Sequence, residues 1–293
     1  MILVIGGGSK IGTALIGELL GAGEEVRALV RSSEDGGSAF PAAVETVVGD
    51  LADPASLAAA MSGVEKVFLL SSAHRDSVRW HTNAIDAARQ AGVRLLVRSS
   101  IIGADAHSDS EFIDAHTQID AYLRATDLPH VILRPNLFLQ NVPESNIPAI
   151  GPDGAMYVDA GDARISMVDT RDVAAVAAIV LTEPGHAGKA YDVTGPEALS
   201  YADVAAALST ALSREVQYVD VPDEAVASAL ASYGLDEWFI GALTGLYQDY
   251  RRSGTDGYAA QVTDTVKRVT GREPRTLAGL LAEVAPASAG AGT

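Results

Sequence analysis

The sequence predicts a doubly wound α/β fold on a parallel sheet, and three observations carry that expectation. Short apolar runs alternate with amphipathic stretches at βαβ spacing over residues 2–135. The first run, "ILVIG", leads directly into a glycine-rich turn and then a helical pattern. These runs are nearly continuous in apolar residues rather than alternating, as strands covered on both faces should be.

Taken in order, residues 2–6 form the first strand, and Ile11, Leu15 and Leu19 recur at helical spacing over 10–22 until "GAG" stops the helix. "EVRALV" (25–30) is a second strand and leads into a Gly/Ser-rich loop. "VETVV" (44–48), "PASLAAAM" (54–61) and "KVFLLSS" (66–72) read as strand, helix, strand. A helix over 76–91, "RLLVRSS" (94–100), a helix over 111–126 and "HVILRP" (130–135) complete the alternation. Beyond Pro135 the texture changes. Residues 141–154 read as a loop, 156–169 as a hairpin, 170–181 as a helix capped by Asp169 or Thr170, and 190–195 as a further strand. Helices around "VQYVDVP" (216–222) and on to about 283 follow, then a small polar tail.

Composition narrows the function. The 293 residues are 48% hydrophobic and 20% charged, with a net charge of −17, which argues against a nucleic-acid scaffold. The absence of cysteine excludes disulfides, thiolate catalysis and cysteine-ligated metals. His81, His107, His130 and His186 have no metal-ligand spacing, and no G-x-S-x-G nucleophile motif occurs. "MILVIGG" has no basic n-region, and no apolar run reaches the roughly 18 residues of a membrane span, so a cytoplasmic protein is expected.

"VIGGGSKIG" (4–12) resembles a dinucleotide-binding turn with Ser9 at its middle position. Gly6 permits the turn and Gly12 permits close packing of helix on sheet. Backbone N–H groups near Gly8, Ser9, Lys10 and Ile11 face where a pyrophosphate would lie. Ser9 either crowds that ligand or hydrogen-bonds it. The second strand ends at Arg31, with Ser32 and Ser33 beside it, where an acidic residue would instead select NAD. A cation there, with Lys10 near, favours NADP(H). Asp50 and Leu51, at the end of the third strand, either contact the adenine or shape the turn.

The pattern "GGGSKIG … RALVRS … GDLADPASL … KVFLLSS … HTQIDAYLRATDLPHVILRPNLFLQN", with the later "VDTRDVA" and "YDVTGPEALS", resembles the NmrA-like branch of the atypical short-chain dehydrogenase/reductases over nearly the whole chain. The resemblance implies a Rossmann domain for NADP(H) (1–136 with 165–195), a substrate lobe (137–164 with 196–285) and a flexible tail (286–293). Members include quinone and carbonyl reductases, isoflavone-reductase-type enzymes and regulators that bind NADP without turnover.

Carbonyl reduction needs a hydride donor, polarisation of the oxygen and a proton source. The Tyr-x-x-x-Lys pair of ordinary short-chain dehydrogenases is absent. The matching stretch is "HTQID", with His116 and Asp120 one turn apart and Tyr122 on another face. His116 is therefore the expected proton donor or carbonyl polariser, with Ser99 and Ser100 beside it. Ser71, Ser72, Pro135 and Asn136 are expected on the nicotinamide side, and His74, Phe138 and Asn141 toward the substrate. The expected activity is NADPH-dependent reduction of a quinone, enone or ketone on a hydrophobic small molecule, and a secondary-metabolite tailoring step fits that chemistry. Two alternatives stay open: an NADP(H)-sensing regulator without turnover, and a redox-neutral enzyme that has lost the cofactor. No nucleic-acid or membrane partner is expected, and a monomer or homodimer fits equally.

Overall fold

The structure is a computed structural model that describes residues 1–32, 40–105, 108 and 110–288, with side chains through residue 284. Ser33, His107 and residues 289–293, named above, lie outside the described residues. The chain divides into two compact units. The first comprises Met1–Asp105, Asp114–Arg134 and Thr170–Asp192, and the second Ala106–Ile113, Pro135–Asp169 and Val193–Thr293.

Along the chain the elements are β1 (Ile2–Ile5), α1 (Lys10–Gly21), β2 (Val26–Val30), β3 (Glu45–Val48), α2 (Pro54–Ala60), β4 (Lys66–Leu69), α3 (Ser77–Gln90), β5 (Leu95–Ser99), α4 (Glu111–Arg124) and β6 (His130–Pro135). There follow a π-helical turn (Val142–Asn146), β7 (Ala155–Val158), α5 (Thr170–Thr182), β8 (Ala190–Val193), α6 (Tyr201–Leu212), β9 (Gln217–Asp220), α7 (Asp223–Ser232) and α8 (Glu237–Ser253). A 3-10 turn (Tyr258–Ala260), α9 (Thr265–Thr270) and α10 (Leu277–Ser288) complete the described chain.

The main sheet has seven strands in the order β3-β2-β1-β4-β5-β6-β8, and the pairs from β3 through β6 are parallel. This is a Rossmann-type α/β fold. Leu3, Ile5, Val67, Leu69, Leu96 and Ile132 form one core cluster with Leu57 and Met61, Ile85 of α3, and Ile119 and Leu123 of α4. Alternate residues Val4, Phe68 and Val97 are buried as well, so both faces are covered and the strands read as unbroken apolar runs. Each such side chain contributes about 1.5–3 kcal/mol by leaving water. Chain order reverses between β1 and β4, which opens a crevice at the C-terminal ends of those strands.

In the second unit the expected hairpin over 156–169 does not form. Only its first part is a strand, and β7 pairs in parallel with the distant β9, Ala155 opposite Gln217 and Val158 opposite Asp220. The "DAGDAR" turn is held from elsewhere: Gly161 N–H donates to Asp220 Oδ1 at 2.9 Å, and Arg251 pairs with Asp220 at 2.6 Å. Ile165 then bridges Leu199 in antiparallel fashion, and Val168 bridges Phe138. The segment 141–154, expected as a loop, contains the π-helical turn. Among the described residues no helix is long and apolar enough to cross a membrane, and no group of three metal-ligating side chains assembles.

Candidate active site

The glycine loop is built by sterics at two positions. Gly6 has φ +85°, and a Cβ there would stand 2.6 Å from the carbonyl oxygen of Leu70, the residue just after β4. A Cβ on Gly12 would lie 2.2 Å from the Gly6 carbonyl oxygen, so only glycine lets α1 start this close to the turn. Ser9 N–H donates to Gly6 O at 3.0 Å and closes the loop.

Ser9 is the N-cap of α1. Its φ of −75° and ψ of 164° are extended, and its Oγ accepts the Gly12 N–H at 3.0 Å. The hydroxyl thus turns back into the helix, and the open point of the loop is Gly8, where an added Cβ meets nothing within 4 Å. Ser9→Ala is expected to cost about 1 kcal/mol of stability through loss of the cap, read as a lower urea midpoint at unchanged m-value. Ser9→Gly should cost only a few tenths.

At the reversal point of the sheet lies a cavity of about 540 Å³, entirely within the first unit. Of the residues singled out in the sequence, Gly6, Gly8, Ser9, Arg31, Asp50, Leu51, Ser71 and Ser72 line it together, joined by Phe40 and Trp80. Lys10, Ile11 and Gly12 are not in its wall, and Ile11 is buried behind the loop. Asp50 shapes its own turn, its Oδ1 accepting the Ala52 N–H at 2.7 Å. His74 stacks on Trp80 with ring centroids 4.2 Å apart, and its Nδ1 accepts the Asp76 N–H at 3.0 Å. Pro135, Asn136, Phe138 and Asn141 belong to the second unit. There Asn136 is buried, and its Nδ2 donates to Ser166 Oγ at 2.9 Å and to Ala259 O at 2.8 Å. Asn141 N–H donates to Phe138 O at 3.0 Å and precedes the π-helical turn.

His116, Ser99 and Ser100 also lie outside that cavity's wall, and the structure draws His116 and Ser100 into a buried network centred on Arg98. Arg98 is fully buried in β5 and pairs with Asp120, also fully buried, through its Nη1. Its Nη2 meets His116 Nδ1 at 2.8 Å, and its Nε donates to His81 Nδ1 at 3.3 Å. His81 Nε2 reaches Ser71 Oγ at 2.9 Å, and Ser100 Oγ donates to Asp120 Oδ2 at 3.0 Å. Arg134 adds a second cation: its Nη1 donates to Asp105 at 2.6 Å, while its buried Nε lies 3.7 Å from Asp120, beyond hydrogen-bonding reach.

Electrostatics fix the charge states. Burial pulls the Arg98 guanidinium down to about 10, with Asp120 opposing, so it stays charged at neutral pH. Burial first, then the Arg98 charge, hold both His81 and His116 well below the ordinary histidine value. Guanidinium has donors only, so the Nδ1 of each ring is the acceptor and the ring hydrogen sits on Nε2.

Sequence reasoning missed Arg98 and His81. The signal for Arg98 was present: a charge that follows "LLV" toward the end of a strand buried on both faces is itself buried, and a buried charge demands a partner. His81 gave no signal in one dimension.

The NmrA-like family profile matches residues 1–277. The chain is 38% identical to the NAD(P)H azoreductase of Xenophilus azovorans over 278 residues, covering 95% of this chain and 96% of the relative. It is 35% identical to a (4-alkanoyl-5-oxo-2,5-dihydrofuran-3-yl)methyl phosphate reductase of Streptomyces griseus, covering 99% of each. The NADPH-dependent quinone oxidoreductase of Escherichia coli, solved as its NADPH complex, superposes with a TM-score of 0.88 at 27% identity, covering 97% of this chain and 99% of that one. With a profile match through residue 277 and relatives above 30% identity along nearly its full length, the chain belongs to the NmrA-like family.

Proposed function

We propose that the protein reduces a quinone, enone or ketone on a hydrophobic small molecule, using NADPH. That it is an NAD(P)H-dependent oxidoreductase follows from relatives that are reductases across the full chain. The observation that carries the cofactor assignment is the cavity at the sheet's reversal point, walled by the glycine loop on one side and by Arg31 on another. The loop fits a pyrophosphate: space opens at Gly8, and the N-terminal N–H groups of α1 start there. Arg31 directly follows β2, where a guanidinium suits a 2′-phosphate. A bound reduced nicotinamide supplies the hydride.

His116 acts here as a neutral hydrogen-bond donor rather than as an imidazolium acid. Its Nδ1 faces Arg98, so Nε2–H is the group that polarises a substrate oxygen. A quinone suits this arrangement, because conjugation spreads the charge that develops on reduction and lowers the demand for a strong acid.

The test has two steps. Calorimetric titration is expected to give at least tenfold tighter binding of NADPH than of NADH, with Arg31→Ala closing the gap. NADPH oxidation is then followed with a panel of quinones, enones and an azo dye. His116→Ala should lower kcat about 100-fold while leaving NADPH affinity unchanged. Unchanged turnover removes His116 from the mechanism. Intact binding with no turnover on any acceptor overturns the reductase reading.

A further inference from the structure

The Arg98 network has a second outlet besides His116, and it opens on the cavity. Ser71 lines the cavity wall, and its Oγ lies 2.9 Å from His81 Nε2. The sense of that contact is set two residues away. Arg98 Nε–H donates to His81 Nδ1, so the ring carries its hydrogen on Nε2 and Ser71 Oγ must accept. The reverse sense would place two N–H donors against each other at 3.3 Å where both residues are buried. With one of its two lone pairs engaged by His81, the Ser71 hydroxyl still has its own hydrogen to give. In this structure it goes to the Ser72 carbonyl oxygen at 3.1 Å.

We propose that Arg98 and His81 are positioning residues that hold Ser71 Oγ through one of its lone pairs, so that its hydrogen can be donated into the cavity to an acceptor oxygen of the dinucleotide. The proposal deepens the dinucleotide reading and rests on it. It assigns a role to the buried His81 and a second one to Arg98, which also faces His116 Nδ1. The chain is directional throughout: guanidinium to imidazole to hydroxyl to ligand oxygen. The depressed histidine basicity supports the same picture, because a neutral His81 keeps Nδ1 free to accept from Arg98.

Two kinds of oxygen offer this chemistry, a phosphate or ribose oxygen and the nicotinamide carboxamide oxygen. NADPH and 2′-phospho-ADP-ribose, which lacks the nicotinamide, separate them. Ser71→Ala is expected to weaken NADPH binding about tenfold, the equivalent of one well-formed hydrogen bond to the ligand. An equal loss for both ligands assigns the phosphate–ribose region, and a loss for NADPH alone assigns the carboxamide. His81→Leu should weaken binding similarly. His81→Gln should restore it, since the amide oxygen accepts from Arg98 and the amide N–H₂ donates to Ser71.

An independent readout is the tautomer itself. Histidine ¹⁵N spectra of the unliganded protein should show His81 as the Nε2–H form from pH 6 to 8. Ser71→Ala should leave that signature intact, whereas Arg98→Lys should lose it. The proposal is overturned if His81 is the Nδ1–H form or a cation at pH 7, or if Ser71→Ala binds NADPH within twofold of wild type. Should His81→Leu fail to fold, the Ser71 variant and the spectra decide. No NADPH binding by the wild-type protein would instead sink the dinucleotide reading, leaving the tautomer result to stand or fall by itself.

Discussion

Asp120→Ala is expected to destabilise the protein by about 3–5 kcal/mol, the cost of stranding a buried charge. Arg98 and Asp120 are both fully buried, so removing the carboxylate takes away the ion-pair partner of a buried guanidinium. The second cation makes the loss worse, since the Arg134 guanidinium also stands near Asp120 and would then lack its field. Ser100 Oγ loses its acceptor in the same step. Asp120→Asn keeps an acceptor but removes the charge, and should cost less than the alanine variant. The paired replacement Arg98→Met with Asp120→Leu should recover most of the loss, because a well-packed apolar pair often equals a buried ion pair in stability. That double variant would still lose the fixed histidine tautomers. It therefore separates the two roles of the pair: stability returns while His116-dependent turnover and Ser71-dependent binding do not. Urea denaturation of the four proteins at pH 7.5 measures the stability arm. A loss below about 1 kcal/mol for Asp120→Ala would mean that the pair behaves as if solvated.

The parts of the fold legible in the sequence are those where one local rule decided the outcome. "ILVI", "KVFL" and "VILRP" are strands because continuous apolar runs between turn signals can only be buried on both faces. Gly6 and Gly12 were legible because the backbone leaves no room for a Cβ at either. The parallel pairing of β7 with β9 was not legible, since the strands lie about sixty positions apart and nothing in "MYVDAGDARISMVD" distinguishes a hairpin from a strand with a distant partner. At the site, Ser9 gave two readings and the cap geometry uses its hydroxyl inside the helix. His116 was visible as a candidate, whereas its protonation state depends on Arg98, eighteen positions away. A sequence can show that a charge is buried but not which groups will meet it.

Stability is expected to fall as pH drops below about 6.5, and the same network is the cause. In the unfolded chain both histidines titrate near 6.5. In the native protein burial and the Arg98 charge hold His81 and His116 well below that value. As pH falls through 6.5 the unfolded state takes up protons that the native state refuses, so the equilibrium moves toward unfolding. Each histidine contributes a slope of up to about 1.4 kcal/mol per pH unit. Two of them give up to about 2.7 kcal/mol per pH unit between the unfolded value and their native ones. His186, lowered by burial as well, acts in the same direction. Asp159 acts the other way. Burial raises its carboxyl to about 6, so the native state binds a proton there before the unfolded chain does. Stability from Asp159 therefore grows as pH falls from 6 toward the unfolded aspartate value, and it offsets roughly one histidine over that window. The net expectation is a loss that builds through pH 6.5 and, below pH 6, holds at roughly the slope of one histidine. Asp159→Asn should steepen the curve below pH 6 toward the slope of two histidines. Denaturation midpoints at half-unit intervals from pH 7.5 to 5 measure both curves. A flat wild-type curve down to pH 5.5 would mean that the native histidines take up protons as freely as unfolded ones. Arg98 would then not be holding the Nδ1 of either ring, and the donor assignments of His116 and Ser71 would fall together.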